Sequence, residues 1–240
     1  MKKAIIIGAS SGIGREVALL LLQKGWHCGI AARRQELLED IKALFPDRVE
    51  TATIDVNQAD APERLGQLIQ RLGGLDLYFH ASGIGHQNRQ LEPAIEMSTV
   101  QTNAMGFTRM LTTAFNHMAA NGGGHIAAIT SIAGTKGLGP APAYSATKAF
   151  QNTYIQSLEQ LANARRLNIR FTDIRPGFVD TPLIADGNRY PITLKPQAVA
   201  KEIVSAIEHR RHIRIIDWRW RIITAGWRRV PRWLWRRFKL

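Results

Sequence analysis

The sequence predicts a single α/β domain on a doubly wound parallel sheet of the Rossmann type, followed by a basic, tryptophan-rich amphipathic extension. Three observations carry the prediction. Short apolar runs alternate with helical patterns over most of the 240 residues, a glycine-rich turn follows the first run, and no repeat, low-complexity tract or linker breaks the rhythm. Strands buried on both faces read as unbroken apolar runs, and helices that cover them carry a three-and-four apolar spacing.

Taken in order, strands are expected at 3–7, 27–31, 50–54, 76–80, 125–130, 169–174 and 213–216. Helices are expected at 15–24, 35–44, 61–72, 92–120, 144–165 and 196–208. In such sheets ligands bind at the carboxyl ends of the strands. The loop Gly8–Gly14, Asp55, the segment 81–83, Ser131 and the segment 176–181 all follow strands, so five separated stretches should meet on one rim.

Bulk properties narrow the function classes. A chain of 240 residues with 45% hydrophobic content can bury one sizeable core. Cys28 is the single cysteine, which rules out an intramolecular disulfide and fits a reducing compartment. The apolar start 4–7 stops at Gly8, too short for a secretory signal, and no run approaches the roughly 18 apolar residues of a membrane span. A cytoplasmic protein is expected. The net charge of +13 is concentrated at the end: from residue 209 onward there are eleven arginines or lysines, one acid (Asp217) and five of the six tryptophans.

Gly8, Gly12 and Gly14 sit between the first strand and the first helix, with Ser10, Ser11 and Ile13 among them. Glycines allow a tight turn and close approach to a pyrophosphate, while the helix N-terminus offers N–H donors and a positive dipole end. Dinucleotide binding is the reading, against a plain glycine-rich turn. The end of the second strand separates NAD from NADP, because an acid there binds a ribose hydroxyl and an arginine accommodates a 2′-phosphate. Here it reads Ala31-Ala32-Arg33-Arg34 with no acid before Glu36, so NADP(H) is expected over NAD(H), with Arg33 and then Arg34 as the phosphate ligands.

Tyr144 and Lys148 stand four apart, one turn along a single helix face. An ammonium beside a phenol favours the phenolate and turns tyrosine into a usable general acid or base at neutral pH. Singly, Ser131 could be a strand-end turn, Asn103 a polar helix residue and Lys148 a solvated lysine. Together with the glycine loop these residues make a coherent site.

On these motifs the chain resembles the short-chain dehydrogenase/reductase family over residues 3–208. The family's G-x-x-x-G-x-G is met by Gly8, Gly12 and Gly14. Its adenine-pocket aspartate is met by Asp55, followed by Val56. Its active-site Asn, Ser, Tyr and Lys are met by Asn103, Ser131, Tyr144 and Lys148. The P-G-x-x-x-T segment beside the nicotinamide is met by Pro176, Gly177 and Thr181, with Val179 inside it. The usual N-N-A-G is His80-Ala81-Ser82-Gly83, where Ala81 and Gly83 keep the backbone close to the cofactor and the lost asparagines leave local hydrogen bonding open. The resemblance implies an NADP(H)-dependent oxidoreductase interconverting an alcohol and a ketone or aldehyde. Tyr144 is the acid/base, Ser131 binds the substrate oxygen, Lys148 lowers the tyrosine pKa and binds ribose together with Tyr144, and Asn103 holds a water that connects Lys148 to solvent. The alternatives are an NADP(H)-binding sensor without turnover and an enoyl-thioester reductase, whose lysine typically stands further from its tyrosine.

The segments 84–91, 134–143 and 183–194, with Leu138, Pro140, Leu183 and Ile184, are the expected substrate walls and suit a partly hydrophobic carbonyl or alcohol. The seven histidines make no metal set, and no metal is expected. The resemblance implies a homo-oligomer, dimer or tetramer, pairing helices 92–120 and 144–165, with Ala146, Ala149 and Phe150 as contacts. Residues 1–217 are taken as the oxidoreductase domain and 218–240 as the tail. In the tail, Ile216, Trp220, Ile223, Trp227, Val230, Leu234 and Phe238 recur at steps of three and four, broken at Pro231. That stripe fits a peripheral contact with an inner membrane surface or packing against the body or a second subunit, ahead of nucleic-acid binding.

Overall fold

A computed structural model describes residues 1–184 and 190–238. Seven parallel strands form one sheet in the order β3-β2-β1-β4-β5-β6-β7: β1 Lys3–Ile7, β2 His27–Ala32, β3 Val49–Thr53, β4 Leu77–His80, β5 Gly124–Ile129, β6 Ile169–Pro176 and β7 Ile213–Ile216. The order reverses beside β1, whose Ile7 pairs with Ala31 on one side and His80 on the other. The crevice of a doubly wound sheet opens at that reversal.

Alternation along β1 divides the core. Ala4 and Ile6 face α1 (Gly12–Gln23), α2 (Glu36–Leu44) and α7 (Pro196–Glu208), where Val17, Leu21, Ile41 and Ile203 fill the layer. Ile5 and Ile7 face α3 (Ala61–Leu72), α5 (Phe107–Ala120) and α6 (Pro142–Ala164), with Leu65, Phe107, Met110 and Ile155. Each such side chain contributes roughly 1.5–3 kcal/mol by leaving water.

The expected elements are present, and the boundaries differ where local chemistry decides. α1 begins at Gly12 rather than 15, because the glycine loop turns directly into it. β6 runs to Pro176 rather than 174, held by pairing of Arg175 with Ile215 and Pro176 with Ile216. The long helix expected at 92–120 is three pieces: α4 (Pro93–Val100), a π-helical turn Gln101–Gly106 and α5. A π turn inserts a residue and re-aims side chains, frequently at functional sites. It carries Asn103.

The tail forms α8 (Trp218–Arg229) and α9 (Arg232–Trp235), separated at Pro231 as expected. Of the expected stripe, Ile216 and Trp220 are buried, while Leu234 and Phe238 are exposed. An aromatic chain runs Phe178–Trp220–Trp227–Trp235–Phe238, with ring centroids 5.5, 6.3, 5.7 and 5.6 Å apart. Lys136 Nζ donates to Val230 O at 2.8 Å and Trp235 Nε1 to Gly137 O at 2.8 Å. The first half of the stripe therefore packs on the body, against the loops after β5 and β6.

Candidate active site

The rim above the sheet has a nucleotide end and a reaction end. At the nucleotide end Gly8 has φ of 88°, and a Cβ there would lie 2.8 Å from Ser82 N. A Cβ on Gly14 would lie 2.2 Å from Gly8 O, so α1 rests on its own loop. Gly12, at φ of 54°, faces Thr181, whose Cγ2 would be 3.2 Å from an added Cβ. The glycine loop and the segment after β6 thus meet, as the strand-end argument requires. Ala81 belongs to the same cluster, donating its N–H to Ile7 O at 2.8 Å.

Ser11 is the N-cap of α1 but makes no side-chain cap bond, and the first turn carries no acid. Its N–H groups face the crevice without a carboxylate competing for them, the arrangement a phosphate needs. Of the two arginines expected at the 2′-phosphate, Arg34 is the one hydrogen-bonded to the glycine loop. Both side chains are exposed, and Arg34 Nη2 donates to Ser10 Oγ at 3.0 Å and Ser11 Oγ at 2.9 Å. Arg34 with two hydroxyls at the loop is the built cation. Asp55 accepts from Asn57 N at 3.0 Å, closing the turn after β3, and the neighbouring Val56 is buried against Gly106.

At the reaction end the π turn aims Asn103 inward, fully buried. Its Oδ1 accepts from Ile84 N at 2.9 Å and its Nδ2 donates to Ile84 O at 2.7 Å, as a strand neighbour would. Gly83 lies beside the same side chain. Fixing Ile84 also fixes Gly85, where a Cβ would lie 2.7 Å from the Tyr144 ring. Tyr144 sits in the first turn of α6, which opens with Pro142 and whose Ala143 N–H is taken by Glu96 Oε2 at 2.9 Å. Ser131, two residues beyond β5, caps a short 3₁₀ turn, its Oγ accepting from Ala133 N at 3.0 Å.

The electrostatics refine the expected tyrosine–lysine coupling. Burial raises the Tyr144 pKa, and a hydrogen bond with Ser131 opposes the rise. Lys148 Nζ lies 5.7 Å from the Tyr144 ring centroid and is turned to Ile129 O at 3.2 Å and Gln151 Oε1 at 2.9 Å. Burial brings the Lys148 pKa down to about 8, with the Asp173 carboxylate pulling the other way. The hydrogen bond with Ser131 lowers the phenol pKa against its burial.

Gln151 is the residue the sequence did not single out. Fully buried, it joins Lys148 to Asn103 by donating Nε2 to Asn103 O at 2.8 Å. His80, in the family's asparagine position, is also fully buried, with Nδ1 and Tyr78 OH 2.8 Å apart and its ring edge-on to Phe107 at 5.0 Å. Burial and the nearby Lys148 hold its pKa down to about 3, so it is neutral.

Gly177 has an unexpected reason to be glycine. A Cβ there would lie 2.0 Å from Trp220 Nε1, and Gly177 N–H donates to Ile216 O at 3.0 Å. Pro176, Val179 and Thr181 line the same edge, Val179 bridging to Leu194 and Thr181 Oγ1 donating to Val179 O at 3.2 Å. Of the expected substrate walls, 84–91 borders Tyr144 at Gly85, and Phe178 meets Tyr190 at 4.6 Å. The part of the third wall at 185–189 lies outside the described residues.

Comparison with known proteins agrees with this geometry. The sequence profile described as short chain dehydrogenase matches residues 2–190. The chain belongs to the short-chain dehydrogenase/reductase family. It is 35% identical over 193 residues to an oxidoreductase of Myxococcus xanthus, a match covering 78% of this chain and 76% of that one. The alcohol dehydrogenase of the archaeon Thermococcus sibiricus, solved with 5-hydroxy-NADP, superposes with a TM-score of 0.80 at 25% identity, covering 90% of this chain and 96% of that one. A variant of actinorhodin polyketide ketoreductase solved with NADPH gives a TM-score of 0.75 at 25% identity, covering 86% and 90%. The chain is an oxidoreductase of this family, with its Rossmann-like nucleotide-binding fold. Sequence reading reached the glycine loop and the Ser131–Tyr144–Lys148 group, and missed Gln151 and the Trp220 contact.

Proposed function

We propose that the protein is an NADP(H)-dependent oxidoreductase that interconverts an alcohol and a ketone or aldehyde. The observation that carries the proposal is the meeting of Ser131, Tyr144 and Lys148 on the rim whose other end is the Gly8–Gly14 loop. Arg34, Ser10 and Ser11 fit the 2′-phosphate, and the first turn of α1 fits the pyrophosphate. NADP(H), when bound, supplies or accepts the hydride. In the reducing direction Tyr144 gives its phenolic proton to the carbonyl oxygen, while Ser131 donates a hydrogen bond to the charge developing there. Oxidation reverses both steps, with Tyr144 Oη taking the alcohol proton. Lys148 holds its charge next to the phenol and reaches the nicotinamide ribose on cofactor binding.

Two solved relatives at 25% identity carry NADP-type cofactors in their descriptions, an alcohol dehydrogenase and a ketoreductase, which supports both the cofactor and the reaction class. The test is turnover of a carbonyl and alcohol panel with NADPH and NADP+. Tight NADPH binding with no turnover across the panel would instead identify a nucleotide-sensing module, and reduction of enoyl thioesters alone would identify an enoyl reductase.

Residues 1–217 form the oxidoreductase domain in this proposal and 218–240 its tail, the enzyme being cytoplasmic with the tail at an inner membrane surface. We also propose a homo-oligomer through α4, the π turn and α6. Met97, Met105, Phe150 and Leu161 are exposed along those elements, as is Ala146. Exposed large apolar side chains on neighbouring helices suit a subunit contact. Light scattering at micromolar concentration should show a dimer or tetramer, and a monomer would remove this part of the proposal.

A further inference from the structure

The tail has two apolar faces, and only one is used by the body. Looking down α8, the inward face carries Trp220, Ile223, Thr224 and Trp227, of which Trp220 and Thr224 are buried. Trp218, Ile222 and Ala225 follow one another at steps of four and three on the opposite face, which puts them in a single outward stripe. Trp218 is 63% exposed and Ile222 62%. Beyond Pro231 the exposure continues through Trp233 at 58% and Phe238 at 50%.

Arginines flank this stripe on both sides. In α8 they are Arg219 on one edge and Arg221 and Arg228 on the other, while Arg229, four after Ala225, closes the stripe at its C-terminal end. Among the described residues, Asp217 is the one acid paired with an arginine of the tail, and it takes Arg219. No helix of the described residues is long and apolar enough to cross a membrane. A short helix with exposed tryptophan and isoleucine between rows of arginine is suited to lie in the plane of an anionic interface.

We propose that the outward face of α8 and α9 docks the enzyme on an anionic lipid surface, Trp218, Ile222 and Trp233 entering the interface while the flanking arginines meet lipid phosphates. A second copy is a poor occupant, because an isologous contact would press like charges together. Nucleic acid would use the arginines and rings but leave Ile222 exposed. The inward face grips Gly177, Phe178, Lys136 and Gly137, so docking holds the substrate side of the rim at the lipid surface.

This deepens the peripheral location proposed for the enzyme. Its failure leaves the redox proposal untouched, since NADPH-linked activity is read in the same samples. Full-length protein is sedimented with phosphatidylglycerol–phosphatidylcholine vesicles and with phosphatidylcholine vesicles alone. Binding to the anionic vesicles at low salt, its loss near 0.5 M salt and little binding to neutral vesicles are expected, since screened charge drives the attraction (salt on the order of 0.5 M shortens the screening length to a few Å). The triple variant Trp218→Ser, Ile222→Ser, Trp233→Ser should bind about tenfold more weakly while melting like wild type. Quenching of wild-type tryptophan emission by bromine-labelled lipid gives a reading independent of any variant. No cosedimentation at low salt, no quenching, or a triple variant bound like wild type would each overturn the proposal.

Discussion

The two ends of the rim are built by different means. At the nucleotide end, backbone conformation does most of the work: Gly8 at φ of 88°, Gly12 at 54° and the uncapped first turn of α1 lie within a few residues of one another. At the reaction end a π turn, a 3₁₀ turn and the first turn of α6 carry the site, and side chains from distant segments set its geometry. Asn103 holds Ile84, Gln151 holds Asn103 and Lys148, and Trp220 from the tail occupies the space above Gly177. A backbone site is local and tolerates change elsewhere, whereas a side-chain site inherits every contact that supports it.

The largest test of that contrast removes the group whose role is chemical alone. Tyr144→Phe should lower turnover by roughly 10²–10⁴-fold. NADPH binding, followed by its fluorescence, should stay close to wild type. A Phe variant with wild-type turnover ends the proposed mechanism.

Next comes the tail's hold on the reaction end. Gly177→Ala sets a methyl 2.0 Å from the Trp220 indole, and overpacking of this kind costs about 1–3 kcal/mol. Thermal melting should show the loss, and pairing the change with Trp220→Ala should cost less than the two single losses added together. Strict additivity would mean that the tail does not constrain Gly177.

At the nucleotide end, Arg34→Ala removes a donor from Ser10 and Ser11. It should reduce the preference for NADPH over NADH about tenfold or more, as expected for charge-assisted bonds. Arg33→Ala should do less. Titration of both cofactors decides, and the opposite ranking would return the phosphate to Arg33.

The smallest effect sharpens the bridging role of Gln151. Lys148, with its pKa brought down to about 8, is charged below that pH and neutral above it. Gln151 Oε1 accepts from its ammonium at 2.9 Å and so favours the charged form. Gln151→Leu should therefore move the corresponding limb of the pH–rate profile to lower pH, while Gln151→Glu, which adds a negative charge, should move it up. A limb that stays in place in both variants would separate Gln151 from the chemistry.

Much of this was legible in the sequence. Seven apolar runs and the helices between them follow from periodicity, and the glycines and the Tyr144–Lys148 spacing have local physical meaning. The π turn was not legible, because one inserted residue barely alters a three-and-four pattern across 92–120. Gln151 reads as an ordinary helix residue three after Lys148 until Asn103, 48 residues away, is brought against it. Arg33 and Arg34 are equivalent in sequence, and only the turn of the chain leaving β2 decides which one reaches the loop.

By itself, the sequence determined the sheet, its covering helices and the turn that meets a dinucleotide, since each depends on neighbours a few residues apart. The direction of the tail was a matter for tertiary structure. Trp218 and Ile222 are as apolar as Trp220 and Trp227, so amphipathicity alone points α8 either way. Gly177, bare of a side chain, and Phe178 beside it offer a cavity that an indole fills, and filling it turns one stripe inward and leaves the other to solvent.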